Sequence, residues 1–226
     1  MKKGIIICFV LTSLFACKKD PVDNSINYGY EYFPIEIGHY TVYDVVDIFH
    51  DLEIETAHDT NRFQIKELIA EVLVDGEGDT IQKLKRYIRA DETEPWTIQD
   101  IWTQKRTAST GEVVDENDRQ IKMVFAIAYN RTWDCNALNN EPSLECYYEN
   151  IYEPYTVSGV TYDSTVIVEK ENFTSFIDFK RNYTVYARNV GRIKSVFKNL
   201  EIDNSDSTDI QKGSEIYFDL IEYGTE

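Results

Sequence analysis

Alternation with a period of two runs through most of this chain, and no other feature narrows its fold so far. Ile121, Met123, Phe125, Ile127 and Tyr129 occupy every second position, and Tyr183, Val185 and Ala187 do the same. Tyr162, Val166 and Val168 share one parity, while Ile216, Phe218 and Leu220 alternate against Glu215, Tyr217 and Asp219. Successive side chains of an extended strand point to opposite faces, so such runs make strands with one face in a core. β-Branched and aromatic residues, which suit that geometry, are abundant; the chain holds 16 Tyr and 11 Phe. Residues 40–49, 80–89, 98–105, 147–153 and 192–200 add further strands. Turn clusters such as Asp75-Gly76-Glu77-Gly78-Asp79 and the polar run 203–209 separate them. The expectation is an all-β, mainly antiparallel fold of roughly ten strands, arranged as one curved sheet, a sandwich or a partial barrel.

Residues 63–74 admit two readings. Ile65, Leu68, Ile69, Val72 and Leu73 fall at helical spacing, with Glu67 and Glu71 on the other side. The turn that follows at once, and the returning run 80–89, favour a strand in a hairpin. Residues 51–61 read as a polar connection.

At the N-terminus Lys2 and Lys3 precede the apolar run 4–15. The run has the length of a signal-peptide core and falls short of the about 20 residues that span a bilayer. Lys18-Lys19-Asp20-Pro21 halts it. Leu14-Phe15-Ala16-Cys17 resembles the bacterial lipobox, in which the Cys becomes the first mature residue and carries lipid on its sulfur and its amine. The resemblance implies a signal peptide over 1–16, a lipidated Cys17 with a polar tether over 17–31, and a single β domain over 32–226. One acyl chain binds a membrane only marginally, whereas several on one residue hold it essentially permanently. The start Cys17-Lys18-Lys19-Asp20 resembles those of Bacteroidota outer-membrane lipoproteins, which implies an outer-membrane anchor on the periplasmic face or the cell surface.

Without residues 1–16 the chain carries 21 basic and 40 acidic residues, a net charge of −19. That balance repels nucleic acid and anionic lipid surfaces. Of the four cysteines, Cys8 leaves with the signal peptide and Cys17 takes the lipid. Cys135 and Cys146 remain together in an oxidising compartment, where a disulfide is favoured. Zinc or free thiols are the alternatives, although no Cys-x-x-Cys or nearby His completes a tetrahedral set.

Candidate sites are sparse. His39, His50 and His58 lie close in sequence but match no zinc spacing, and read as surface or edge residues rather than ligands of a metal shared with Asp51 or Asp59. Asp75, Glu77 and Asp79 alternate as calcium ligands do, yet Thr80 and Arg86 stand where such a loop needs Gly and Glu, so a hairpin turn is expected. No Gly-x-Ser-x-Gly and no phosphate-cradling glycine loop occurs. No cofactor and no catalysis are therefore expected; a glycan-active enzyme with paired carboxylates is the remote alternative. Trp96, Trp102, Trp133, Tyr148 and Tyr152 could form a stacking platform for a ligand, with core packing as the competing account. Asp79-Thr80-Ile81, Asp163-Ser164-Thr165 and Asp206-Ser207-Thr208 resemble a short bacterial O-glycosylation signal, which would require Thr80, Ser164 and Ser207 to be exposed.

Several stretches in order resemble a group of uncharacterised Bacteroidota lipoproteins. They are Tyr32-Phe33-Pro34-Ile35-Glu36-Ile37-Gly38 followed by Tyr40-Thr41-Val42-Tyr43, then Glu94-Pro95-Trp96, Trp133-Asp134-Cys135-Asn136-Ala137, and Tyr186 to Lys194. The likeness spans about residues 32–202 and implies an anchored envelope domain without a transferable activity. Thr41 and Cys135 depart from the group's Trp and Gly; the second departure fits a disulfide particular to this chain and its near relatives. The expected function is a non-catalytic lipoprotein, anchored through Cys17, whose curved sheet binds a protein, glycan or apolar ligand. The alternative is a half-open barrel that carries lipid or lipidated cargo.

Overall fold

Strands form where the alternation runs, and they pair in the order in which the chain makes them. The computed structural model describes residues 27–54 and 57–226; residues 1–16, expected as a signal peptide, and Cys17 lie outside them. A 3₁₀ turn, Tyr30–Tyr32, precedes β1 (His39–Asp51), β2 (His58–Val74), β3 (Thr80–Arg89), β4 (Thr97–Arg106), β5 (Thr110–Asp115) and β6 (Asp118–Val124). There follow β7 (Thr132–Asp134), β8 (Glu145–Val157), β9 (Val160–Thr174), β10 (Asp178–Ala187), β11 (Gly191–Asp203) and β12 (Asp206–Thr225). Each strand is antiparallel to its neighbours in one 12-stranded sheet, and β12 returns to pair with β1 from His39↔Thr225 to Asp51↔Lys212. The result is a nearly closed meander barrel.

Several expectations need adjustment. Twelve strands replace roughly ten, because β5 and β7 are too short to show a period. Residues 63–74 belong to β2, whose helical spacing arises because both faces of the strand carry apolar groups. The connection after β1 is shorter than residues 51–61, since His50 already pairs with His58. The alternation through Ile127 and Tyr129 leaves the strand after Val124: Ala126 turns the chain at φ 58°, and Ile127 packs where a Cβ on Gly29 would sit.

The sheet's two edges, β6 and β7, meet without a regular ladder. Bare edges invite pairing with other chains, and here single contacts satisfy them. Ile121 N–H donates to the Cys135 carbonyl at 2.9 Å, and Trp133 Nε1 donates to the Ile121 carbonyl at 3.1 Å. Tyr148 Oη donates to the Val124 carbonyl at 2.7 Å and accepts from Val124 N–H at 3.1 Å. A Cys135–Cys146 disulfide, with Cα atoms 6.0 Å apart, staples the β7–β8 turn behind this seam.

Eight strands give a barrel whose side chains just fill it, and twelve leave surplus room. The segment before β1 fills one end. Tyr32 is fully buried, and Arg106 Nη1 donates to the carbonyls of Tyr30 and Phe33 at 3.0 and 2.9 Å. Gln104 holds the Pro34 carbonyl at 2.8 Å, and Pro34 packs on Gly191, whose φ of 88° only glycine adopts without strain. This plug begins before Tyr32, because Tyr28 and Tyr30 stack 5.5 Å apart and Ala126 N–H donates to the Tyr28 carbonyl. Residues 28–31, expected in a tether, thus belong to the plug. Toward the other end, Val45 and its register partners Phe63 and Phe218 join Ile65 and Ile88 in an apolar layer.

One carboxylate is badly placed. Glu169 on β9 is fully buried, and Arg181 Nη2 lies 3.1 Å from Oε2 yet out of line for a hydrogen bond. Burial, with Glu149 beside it and against the pull of Arg181, pushes its carboxyl from 4.5 up to about 7. A carboxyl raised on folding favours the native state below its unfolded value, and that advantage disappears as pH climbs through the folded one. Glu169→Gln should therefore stabilise the protein by about 2 kcal/mol at pH 8 and give no gain at pH 4, measured by urea denaturation at both values. Equal effects at the two pH values would show that the carboxyl is not raised.

Candidate functional site

Between plug and apolar layer lies a cavity of about 190 Å³. Strands β1 to β6 and β9 to β11 all contribute to it, as do Tyr32, Phe33 and Pro34 of the plug, so it is the inside of the barrel. Register explains the lining. Tyr43 pairs with Ile65 and Thr41 with Glu67, Glu67 pairs with Arg86, and Leu84 pairs with Trp102. Across the lumen, Val166 and Val168 set the parity that brings Lys170 inward, and Tyr186 pairs with Arg192.

The walls are charged. Glu67 Oε1 accepts from Arg192 Nη2 at 2.8 Å and from Arg86 Nε at 3.1 Å. Arg86 also lies 3.6 Å from Asp100 and stacks 3.8 Å over the Trp102 ring. Arg192 covers the rings of Tyr43 and Phe218 at 4.5 and 4.8 Å. Burial works against the Arg192 charge, but Glu67 and the two tyrosines Tyr43 and Tyr186 hold the guanidinium above its ordinary value. Lys122 and Lys170 line the same space and make no ion pair among the described residues. Their surface is only partly covered because the cavity itself touches them, while protein surrounds them on all sides. Burial first, then Lys170 and Arg192, drives the Lys122 amine well below its usual value; burial and Arg192 push Lys170 down to about 8. Asp115 is shifted upward by burial against the pull of Arg86 and Lys122. Last, the Trp102 indole N–H is buried without an acceptor.

The five aromatic residues expected as a platform do not share a surface. Trp102 is in the lumen wall. Trp133 and Tyr148 pack together at 4.9 Å, with their polar groups committed to the β6–β7 seam. Tyr152 lies on β8 beside Tyr32, its ring 6.2 Å away, and Trp96 lies before β4 under the Arg89 guanidinium at 4.2 Å.

The histidines divide. His39 Nε2 donates to the Val190 carbonyl at 2.9 Å. His50 and His58 face each other across β1 and β2 with Nδ1 atoms 2.7 Å apart, so one ring donates and the other accepts. The remaining nitrogen of His50 lies 2.9 Å from Glu215, which Lys198 also neutralises at 2.7 Å. Asp75, Glu77 and Asp79 can bring oxygens within 4.8 Å of one another, and Lys105 pairs with Asp79 and Asp75 there. Thr80 and Ser207 are exposed, whereas Ser164 shares a 2.7 Å hydrogen bond with Tyr32.

Lys122, Lys170, Arg192 and Glu67 were not singled out from the sequence. A signal for two of them exists: Glu67 sits between Ile65 and Ile69, and Lys170 extends the series Val166, Val168, each a charge on an otherwise apolar parity.

Fold and site together define a plugged, twelve-stranded antiparallel barrel with a charged lumen. No protein-family model matches the chain, and no curated protein matches it. It is similar to a solved structure from Parabacteroides distasonis, provisionally described as a lipoprotein, at 12% identity and a TM-score of 0.36 over 85% of this chain and 98% of that one.

Proposed function

We propose that this protein is an envelope lipoprotein, held on the outer membrane by lipid on Cys17, whose barrel takes up a small polar ligand rather than catalysing a reaction. The observation that carries the binding role is the cavity, in whose wall the Lys170 amine and the Trp102 indole N–H lack partners among the described residues. Buried polar groups are ordinarily hydrogen-bonded, and a set of unpartnered donors facing one space is what a bound ligand satisfies. The lipobox-like Leu14-Phe15-Ala16-Cys17 supports the anchor. A carrier of acyl chains would want apolar walls, and the basic side chains of Lys122, Lys170 and Arg192 in the lumen wall favour a polar guest.

Native and denaturing mass spectrometry of the full-length lipoprotein, purified in detergent from its own envelope, tests this. The expected result is extra mass in the native spectrum that vanishes on denaturation. Identical protein masses in both, even after incubation with envelope extract, would remove the binding role.

A further inference from the structure

Resting on the lumen as a binding site, we infer that its ligand is a carboxylate borne on a single ring, seated between Lys122, Lys170 and the Trp102 indole. Charge comes first. The chain as a whole carries a net −17, yet its cavity is lined by Lys122, Lys170 and Arg192 beside Glu67 and Asp115, with Arg86 bonded to Glu67. Glu67 balances the two arginines. The two lysines keep no carboxylate partner among the described residues, Lys122 donating instead to the Gln120 side-chain oxygen, and Lys170 and Arg192 work against the Lys122 charge as Arg192 works against that of Lys170. Bringing like charges together inside a protein is costly, and an anion between them offsets the cost. A net acidic chain does not attract an anion from a distance, so recognition is local to the lumen.

Size and shape come next. A cavity of about 150 Å³ lined by apolar groups accepts a benzene ring, so about 190 Å³ holds one ring with a small substituent. Tyr32, Tyr43, Tyr186 and Trp102 give that space flat walls suited to stacking on an aromatic ring or on the apolar face of a sugar. Arg86, 3.8 Å above Trp102, braces the indole, whose buried N–H has no acceptor. Ammonium groups and an indole N–H are donors only, and an acceptor-only group answers them; an ionised carboxylate is such a group, and its charge would favour the protonated lysines that burial disfavours.

Isothermal titration of the full-length protein in detergent, with benzoate and glucuronate as acids and benzyl alcohol and glucose as their neutral counterparts, provides the test. At least one acid should bind and shift the Trp102 indole N–H resonance, and whichever ring is preferred identifies the source. Lys122→Met/Lys170→Met should weaken that acid at least tenfold. The exchange removes two charges that burial disfavours, so the variant is expected to fold, and Trp102→Phe serves as a second probe by removing the indole donor alone. Acid affinity unchanged in both variants would overturn the inference. Neutral compounds bound as tightly as acids would overturn it too, leaving the lumen a binding site of another kind. Failure of every compound to move the Trp102 signal, together with identical native and denatured masses, would remove the lumen as a binding site altogether.

Discussion

Glu67→Gln is expected to destabilise the barrel by about 3–5 kcal/mol, the cost of removing one partner from a buried ionic group. One oxygen of Glu67 serves both Arg86 and Arg192, and the three side chains are largely buried, with 11%, 9% and 21% of their surface exposed. Glutamine keeps the volume and an acceptor oxygen, so the change isolates the charge. Two guanidiniums are then left facing Lys122 and Lys170, with Asp100 near only one of them. Urea denaturation should show a lower midpoint at an unchanged slope, because the surface buried on folding stays the same. Adding Arg192→Met to Glu67→Gln should recover part of the loss, since residues that share a network are not additive. A loss below about 1 kcal/mol would mean that the lumen is wet enough to screen its charges.

The second large effect concerns location. Cys17→Ser should move the protein from the membrane pellet to the soluble fraction essentially completely and abolish labelling with radioactive palmitate, while the melting temperature of the barrel stays as it was. The reason is arithmetic of burial: each methylene withdrawn from water contributes about 0.8 kcal/mol, and several acyl chains on one residue supply all of the attachment. Cys17 precedes Asn27, the first described residue, by ten positions. A tether of that length reaches at most about 35 Å. With an anchor at Cys17, the plugged end of the barrel is expected to face the membrane, and the β1–β2, β9–β10 and β11–β12 turns to face away from it. A variant that stays in the pellet would show that some part of the chain other than Cys17 holds the membrane.

Period two marked most strands because each side chain's face is a local property of extended backbone. What the alternation could not show was closure. The β1–β12 ladder joins residues at opposite ends of the chain, and nothing in Val42-Tyr43 or Leu220-Ile221 specifies the other. Nor could it show what Trp133 and Tyr148 do, since an aromatic that pins a seam and one that stacks on a ligand look alike in sequence. Half of the site was hidden for a different reason. Lys122 sits at an irregularity in β6, between Ile121, which pairs with Glu112, and Met123, which pairs with Gly111, so parity fails there. Glu67 and Lys170 were visible as charges on apolar parity, a pattern that marks a wide barrel's interior as readily as an exposed face. The disulfide was legible because Cys135 and Cys146 lie only 11 positions apart with no further cysteine beyond Cys17 to compete for either.

The pairing of first strand with last has a temporal consequence. Hairpins from β2–β3 to β10–β11 are local and can zip as they emerge, but the ladder from His39 to Thr225 is the contact of highest contact order in the fold, and loop-closure entropy makes it late. Thr41 and Glu67 come from the beginning of the chain, and Tyr186 and Arg192 from near its end. A chain threaded through an export channel thus has no lumen until its final strand is delivered. The compartment in which the barrel closes is also the one whose solutes it can first enclose.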